Sequence, residues 1–166
     1  MTVQINYKNN VSAKTLANLI LFVDDKFNTK TLKNHISKED LSYINDLLKT
    51  SDLKKNLLVF EISSKKKIIL VSIKKNIQSS NVENLGAELY GYINKDKKST
   101  YLVNTNTINN NIDNFLGHFL HGLKLKSYIF DKYKTKKEIN HITINVTGNK
   151  HKPSTFNQLK FKSLEE

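Results

Sequence analysis

From residue 67 onward the sequence alternates between β-strand patterns and amphipathic helix patterns, and this alternation restricts the fold more than any other feature. Strand patterns cover residues 67–73, 100–104 and 141–147. The clearest helix pattern is an apolar stripe at i, i+3, i+4, i+7, i+8 and i+11, which runs from Ile112 to Leu123. Strands joined through helices need crossover connections, so the sequence predicts an α/β domain with a parallel or mixed sheet covered by helices.

The remaining elements are predicted from capping and turn signals. Two more strands are expected at residues 3–7 and 18–23, and a hairpin is expected from strands 56–62 and 67–73. Two capping boxes, in which a hydroxyl at the N-cap precedes an acid three residues later, predict helix starts. The capping boxes are Ser37 with Asp40, opening a helix over residues 38–50, and Ser80 with Glu83, opening a helix with an apolar stripe from Val82 to Ile93. Pro153 and the pair Thr155 and Gln158 predict a last helix start.

Composition sets the class of protein and the compartment. The 166 residues suit one domain, and the absence of cysteine excludes disulfides and cysteine-bound zinc. The N-terminus lacks a signal-peptide pattern, and the longest apolar runs are far shorter than the ~20 residues of a membrane span. We therefore expect a cytoplasmic protein with no membrane partner.

The net charge of +12 has two explanations. A basic domain attracts nucleic acid, but every basic residue here is lysine, and arginine is the residue that reads guanine and stacks on bases. Lysine, asparagine and isoleucine are enriched together, which indicates AT-rich coding. The coding explanation is favoured, and nucleic-acid binding stays open.

Three groups of residues are candidate sites. His118 and His121 have a spacing that can chelate zinc, but no third ligand is obvious, so solvent-facing or helix-flank histidines are favoured. Asp24 and Asp25 follow an apolar strand and are interpreted as a polar turn rather than an acid–base pair. The chain has neither GxGxxG nor GxxxxGK, which leaves nucleotide binding by those loops unsupported, and Gly86 is expected to allow close helix packing.

Residues 123–137 interleave lysines with Tyr128, Phe130 and Tyr133, a pattern that can stack bases and neutralise phosphates. The favoured interpretation is a long loop anchored by its aromatic side chains. The candidate nucleic-acid contacts are Lys124, Lys126, Lys132, Lys134, Lys136 and Lys137.

The same segment carries a family resemblance. Residues 122–136, GLKLKSYIFDKYKTK, are similar to the end of the N-terminal domain in the leucyl aminopeptidase (cytosol aminopeptidase) family, where a helix runs into a Tyr-x-Phe-Asp-x-Tyr-Lys pattern. The order of the upstream elements is also similar, and residues 154–166 resemble the helix that leads to the catalytic half. Lys126 stands where the family tends to have glycine, and His121 where glutamate is common.

The resemblance implies a macro-domain-like three-layer domain over residues 1–153 and the start of a linker helix at 154–166. In that family the N-terminal domain helps to build a hexamer and shapes access to the active sites. Two divalent metal ions, zinc or manganese, belong to a C-terminal catalytic domain that hydrolyses N-terminal residues from peptides. None of that domain's motifs occurs here, so we expect a truncated or excised non-catalytic part whose partners are that domain and further copies of itself.

Two rival functions remain at this point. One is a basic module that binds nucleic acid through the lysines of residues 123–137, with affinity that falls steeply as salt rises. The other is a macro-type domain that binds a nucleotide such as ADP-ribose at the strand ends, which the lack of a glycine-rich phosphate loop disfavours.

Overall fold

The structure is a computed structural model that describes residues 3–7, 18–96, 98–108, 114–133 and 141–148. The strands are β1 (Val3–Tyr7), β2 (Asn18–Asp24), β3 (Leu57–Ser63), β4 (Lys66–Ile73), β5 (Lys98–Asn104) and β6 (His141–Thr147). The helices are α1 (Lys38–Leu48), α2 (Ser79–Ile93) and α3 (Phe115–Tyr133). The strands form one sheet in the order β1-β6-β5-β2-β4-β3, in which β3 and β4 are antiparallel and every other pair is parallel. The predicted mixed sheet of an α/β domain is confirmed.

β2 lies inside the sheet because its apolar residues are buried on both faces, as expected for a strand between two parallel neighbours. Ile20 and Phe22 pack toward α2 and α3, whereas Leu19, Leu21 and Val23 pack on the opposite side with Ile44 of α1. The sheet therefore lies between a layer of two helices and a layer of one helix, which is the predicted three-layer arrangement. Phe22 contacts the rings of Phe115 and Phe119 edge-on, with centroid distances of 5.7 and 5.2 Å.

The two predicted capping boxes have different outcomes. Ser37 caps α1 as predicted, since its hydroxyl accepts a hydrogen bond from the backbone N–H of Asp40 at 3.1 Å. The prediction for Ser80 is wrong: α2 begins at Ser79 after Gln78, whose extended backbone places both serines inside the first turn. The carboxylate of Glu83 contacts His118 and His121 of α3.

α3 continues to Tyr133, so the prediction of a loop after Leu123 is wrong. The buried face of the helix extends through Leu123, Lys124 and Ser127, and the Ser127 hydroxyl donates to the Lys124 carbonyl at 2.7 Å. Because Lys124 is a basic residue at a buried helix position, a pattern based on apolar residues alone does not detect that the helix continues. Ile112, residues 134–137 and the predicted C-terminal helix lie outside the described residues.

Candidate functional site

Two glycines bring α2 and α3 into close contact. A Cβ at Gly86 would lie 1.9 Å from the backbone oxygen of Phe119, and a Cβ at Gly122 would lie 1.9 Å from the backbone oxygen of Glu83. Each helix therefore places backbone against the glycine of the other. The expected role of Gly86 in close helix packing is confirmed, and the equivalent role of Gly122 was not predicted.

This crossing places Glu83 between the two histidines of α3. The Nδ1 atoms of His121 and His118 lie 3.1 and 3.4 Å from the same oxygen, Oε1 of Glu83. The three side chains are between 12% and 30% exposed, so they are largely shielded from solvent at the flank of the helix pair. The histidines lie on a helix flank, as one of the two favoured interpretations had it, and they do not face solvent, as the other had it. Glu83 is the partner that sequence reasoning missed.

The sequence signal for that partner is indirect. Glu83 lies three residues before Gly86. His121 lies next to Gly122, and His118 lies one turn before it. If the two glycines mark one crossing, these residues must meet. Within the described residues, no group of three or more histidine, aspartate or glutamate side chains is arranged to hold a metal ion.

Asp24 stabilises a turn at the carboxyl end of β2. Its Oδ1 atom accepts hydrogen bonds from the backbone N–H groups of Asn28 and Lys26, at 2.9 and 3.1 Å. This pattern is that of an Asx turn, in which an aspartate replaces a backbone acceptor. The geometry agrees with the polar-turn interpretation of Asp24 and Asp25.

Open α/β sheets bind ligands beyond the carboxyl ends of adjacent strands whose following helices lie on opposite faces. β2 meets this condition on both sides, because α1 follows β2 on one face while α2 and α3 follow β4 and β5 on the other. The sheet therefore has two candidate crevices, one between β2 and β5 and one between β2 and β4.

The crevice between β2 and β5 is filled by the chain itself. Beyond β5, a 3₁₀ turn places the Thr107 hydroxyl where it accepts from the backbone N–H of Phe22 at 3.0 Å. The Thr105 hydroxyl donates to the Thr147 carbonyl at 2.7 Å, and Gly148 packs on Thr105 so tightly that a Cβ would lie 2.2 Å from its hydroxyl oxygen. Thr107 thus ties the turn to β2 at this crevice, and Thr105 ties it to the end of β6.

An open cleft of about 410 Å³ lies at the end of β4, between α2 and the β3–β4 edge of the sheet. The cleft is lined by polar side chains from three segments of the chain, and Asn56 Nδ2 donates to Glu88 Oε2 at 3.3 Å on its wall. Ser72, at the strand end, is 6% exposed, and its hydroxyl makes a long hydrogen bond of 3.4 Å to the Asp24 carbonyl. The sequence analysis did not identify this cleft, because its residues are distant in sequence and belong to no motif.

The structure separates the lysines that were proposed as nucleic-acid contacts. Lys124 is only 8% exposed, and its ammonium donates to the Val3 carbonyl at 2.7 Å, so including it among the contacts was wrong. Lys126 is exposed and borders a shallow groove with Tyr92 and Lys95. Lys132 lies on α3, and Lys134, Lys136 and Lys137 lie outside the described residues.

Comparison with solved structures decides the type of fold. The chain superposes on the macrodomain of Thermus aquaticus DarG with a TM-score of 0.53 at 10% identity, covering 89% of this chain and 99% of that one. The domain has a macro-domain-like fold. This confirms the fold that the family resemblance implied.

Two aminopeptidase structures share the same fold. A mutant of tomato leucine aminopeptidase matches 98% of this chain with a TM-score of 0.61 and 14% identity, and the cytosol aminopeptidase of Coxiella burnetii matches 96% with a TM-score of 0.58 and 10% identity. The chain spans about a third of the length of these aminopeptidases, 35% and 31% respectively. By sequence, no protein family and no curated protein matches the chain.

Within the described residues, no helix is both long enough and apolar enough to cross a membrane.

Proposed function

We propose that this chain is the non-catalytic N-terminal domain of a leucyl aminopeptidase-like metallopeptidase. The main support is that nearly the whole chain matches about one third of an aminopeptidase, as expected for one domain of a larger enzyme. The similarity of residues 122–136 to the end of that domain is independent support, because it comes from side chains rather than from backbone shape.

In this proposal the domain contributes surface rather than chemistry. It takes part in assembly of a cytoplasmic hexamer and shapes access to the active sites. Two zinc or manganese ions and the residues that hold them belong to the partner domain. The rigid contact between α2 and α3, closed by Gly86 and Gly122, gives the domain a stable outer surface for such contacts.

The test uses the protein from its source cells. An antibody raised against this chain is used for immunoblotting and for immunoprecipitation, and the precipitate is assayed for hydrolysis of leucine amide with added manganese or zinc. We expect a band of about 55–62 kDa, because 19.1 kDa would be 35% or 31% of a protein as long as the aminopeptidases that the chain matches, together with metal-dependent activity. The isolated chain, expressed as a control, should show no activity above blank.

Two results would contradict the proposal. A band at the chain's own 19.1 kDa with an inactive precipitate would indicate a domain that works alone. Metal-dependent turnover by the isolated chain would mean that catalytic residues lie within it.

A macro-type nucleotide-binding domain is the second candidate, because the DarG macrodomain matches almost end to end. The filled crevice between β2 and β5 argues against it. A thermal-shift titration with ADP-ribose separates the two, since a macro-type site requires a rise in Tm with ligand concentration.

A further inference from the structure

The cleft at the end of β4 lies where α/β sheets bind ligands. Its lining comes from the segment before β3, the loop after β4 and α2, so the cleft lies between α2 and the β3–β4 edge of the sheet. At the β2–β5 crevice, by contrast, Thr107 contacts the backbone of β2. Its volume of about 410 Å³ falls within the range of small-molecule sites.

The charges of the cleft indicate which ligands suit it. Its lining carries one cation, Lys74, and one anion, Glu88. Between them lie the carboxamides of Asn81 and Asn84 on α2, with Asn56 and Asn76 from the loops. Carboxamides both donate and accept hydrogen bonds, so they match a peptide bond and favour neither sign of charge. A ligand with a single charge would therefore leave one end of the cleft unmatched.

The spacing of the lining residues gives the ligand a length and a direction. Asn81, Asn84 and Glu88 lie on one face of α2, and the seven steps from Asn81 to Glu88 correspond to about 10 Å along the helix. Lys74 precedes α2 and lies at the end where the helix begins, and the partial positive charge of a helix N-terminus also favours an anion there. The carboxylate of a ligand therefore belongs near Lys74, and its ammonium belongs near Glu88.

We propose that this cleft binds a dipeptide zwitterion, with its carboxylate at Lys74 and its ammonium at Glu88. An extended dipeptide is about 7 Å long, which leaves room for a contact at each end. Its peptide bond would pair with the carboxamides of Asn81 and Asn84. The site does not depend on the aminopeptidase proposal, because its argument uses only the lining of the cleft.

Binding is tested on the full chain by two-dimensional NMR, with the dipeptide Leu-Gly and free L-leucine titrated to about 10 mM, a range suited to weak ligands. We expect saturable shifts of the amide signals around Lys74, Asn81 and Glu88. Leu-Gly should bind more tightly than leucine, because the ammonium and carboxylate of a free amino acid share one Cα and cannot reach both ends of the cleft. N-acetyl-Leu-Gly and Leu-Gly amide, which each lack one charge, should bind about five- to tenfold more weakly.

Charge-neutral variants identify the two ends. Lys74→Gln should weaken the binding of Leu-Gly by about five- to tenfold but leave the affinity for Leu-Gly amide unchanged. Glu88→Gln should also weaken the binding of Leu-Gly by about five- to tenfold, but it should leave the affinity for N-acetyl-Leu-Gly unchanged. Lys75→Gln is the matched control, because it removes the same charge from the neighbouring residue, which does not line the cleft. Far-UV circular dichroism verifies that each variant is folded.

Four results would overturn the proposal: no saturable shift with Leu-Gly, tighter binding of leucine than of Leu-Gly, equal affinity for Leu-Gly and both blocked forms, or equal effects of Lys74→Gln and Lys75→Gln. None of these results bears on the size or activity of the native protein, so this proposal and the aminopeptidase proposal can fail separately.

Discussion

Replacing Gly86 by alanine tests the close contact of α2 and α3. The substitution improves helix propensity but creates a steric overlap, and at this position the overlap should be the larger effect. Within a helix, alanine is more favourable than glycine by about 1 kcal/mol. Against this, the new Cβ would lie 1.9 Å from the Phe119 oxygen and 2.9 Å from the Leu123 nitrogen. Both are backbone atoms, so no side-chain rotation relieves the overlap and the helices must separate.

The expected result is a loss of stability. Overpacking of this kind costs about 3 kcal/mol, the upper end of its usual range, since helix backbone must move by more than an ångström. After the gain in helix propensity, Gly86→Ala should lower the free energy of unfolding by about 2 kcal/mol and Tm by about 4–8 °C. Gly122→Ala should act in the same direction, because its Cβ would meet the Glu83 backbone at 1.9 Å.

Gly91 provides the matched control on the same helix. It is exposed, and a Cβ there would meet no atom within 4 Å. Gly91→Ala should therefore raise the free energy of unfolding by about 0.5–1 kcal/mol. Urea unfolding followed by circular dichroism at 222 nm measures all three variants, and an unchanged m-value shows that the unfolded state is comparable. If Gly86→Ala is as stable as the parent while Gly91→Ala is stabilised, the argument for a backbone contact between α2 and α3 is refuted.

Three further perturbations follow from single contacts. Lys124→Met should lower the free energy of unfolding by about 1–2 kcal/mol, because it removes the hydrogen bond from a buried ammonium to the Val3 carbonyl. Lys126→Met, on the exposed face of the helix, should change the free energy of unfolding by less than about 0.5 kcal/mol. Equal effects of the two variants in urea unfolding would contradict the burial of Lys124. Desolvation lowers the pKa of His35 from 6.5, so the unfolded state binds the proton more readily than the folded state. The free energy of unfolding should therefore fall as the pH drops below about 6.5. In a pH series, the Tm of His35→Asn should fall less steeply than the Tm of the parent protein. Burial, followed by the hydrogen bond to Asp96, raises the pKa of Tyr101 above 10.0. The stability that this phenol contributes should therefore be retained below pH 10 and lost as the pH rises beyond it. In absorbance titrations at 295 nm, Tyr101→Phe should remove one late-titrating phenol.

The positions of the strands and the start of α1 could be predicted because their signals are local. β6 shows alternating burial of Ile142, Ile144 and Val146, and the cap at Ser37 depends on an atom only three residues away. The length of α3 was missed because Lys124 occupies a buried helix position, and a local reading assigns lysine to solvent. The backbone carbonyl that makes this burial tolerable belongs to Val3, 121 residues earlier in the chain.

The candidate sites were predicted less well than the fold, since a site depends on which segments meet. His118 and His121 could be placed on one helix flank from their spacing alone. Their contact with Glu83 depends on the crossing of two helices, and the cleft beside β4 depends on Asn56, Lys74 and Glu88 from three separate segments.

Hydrophobic periodicity and capping chemistry by themselves determined the class of fold, the order of the elements and most of their boundaries, because these properties arise from neighbours along the chain. Tertiary structure alone decided that Lys124 is buried, that a turn after β5 fills one crevice of the sheet, and that a polar cleft stays open between α2 and the end of β4. These outcomes arise from hydrogen bonds and close packing between residues far apart in sequence, and such contacts form only after the sheet and helices have assembled.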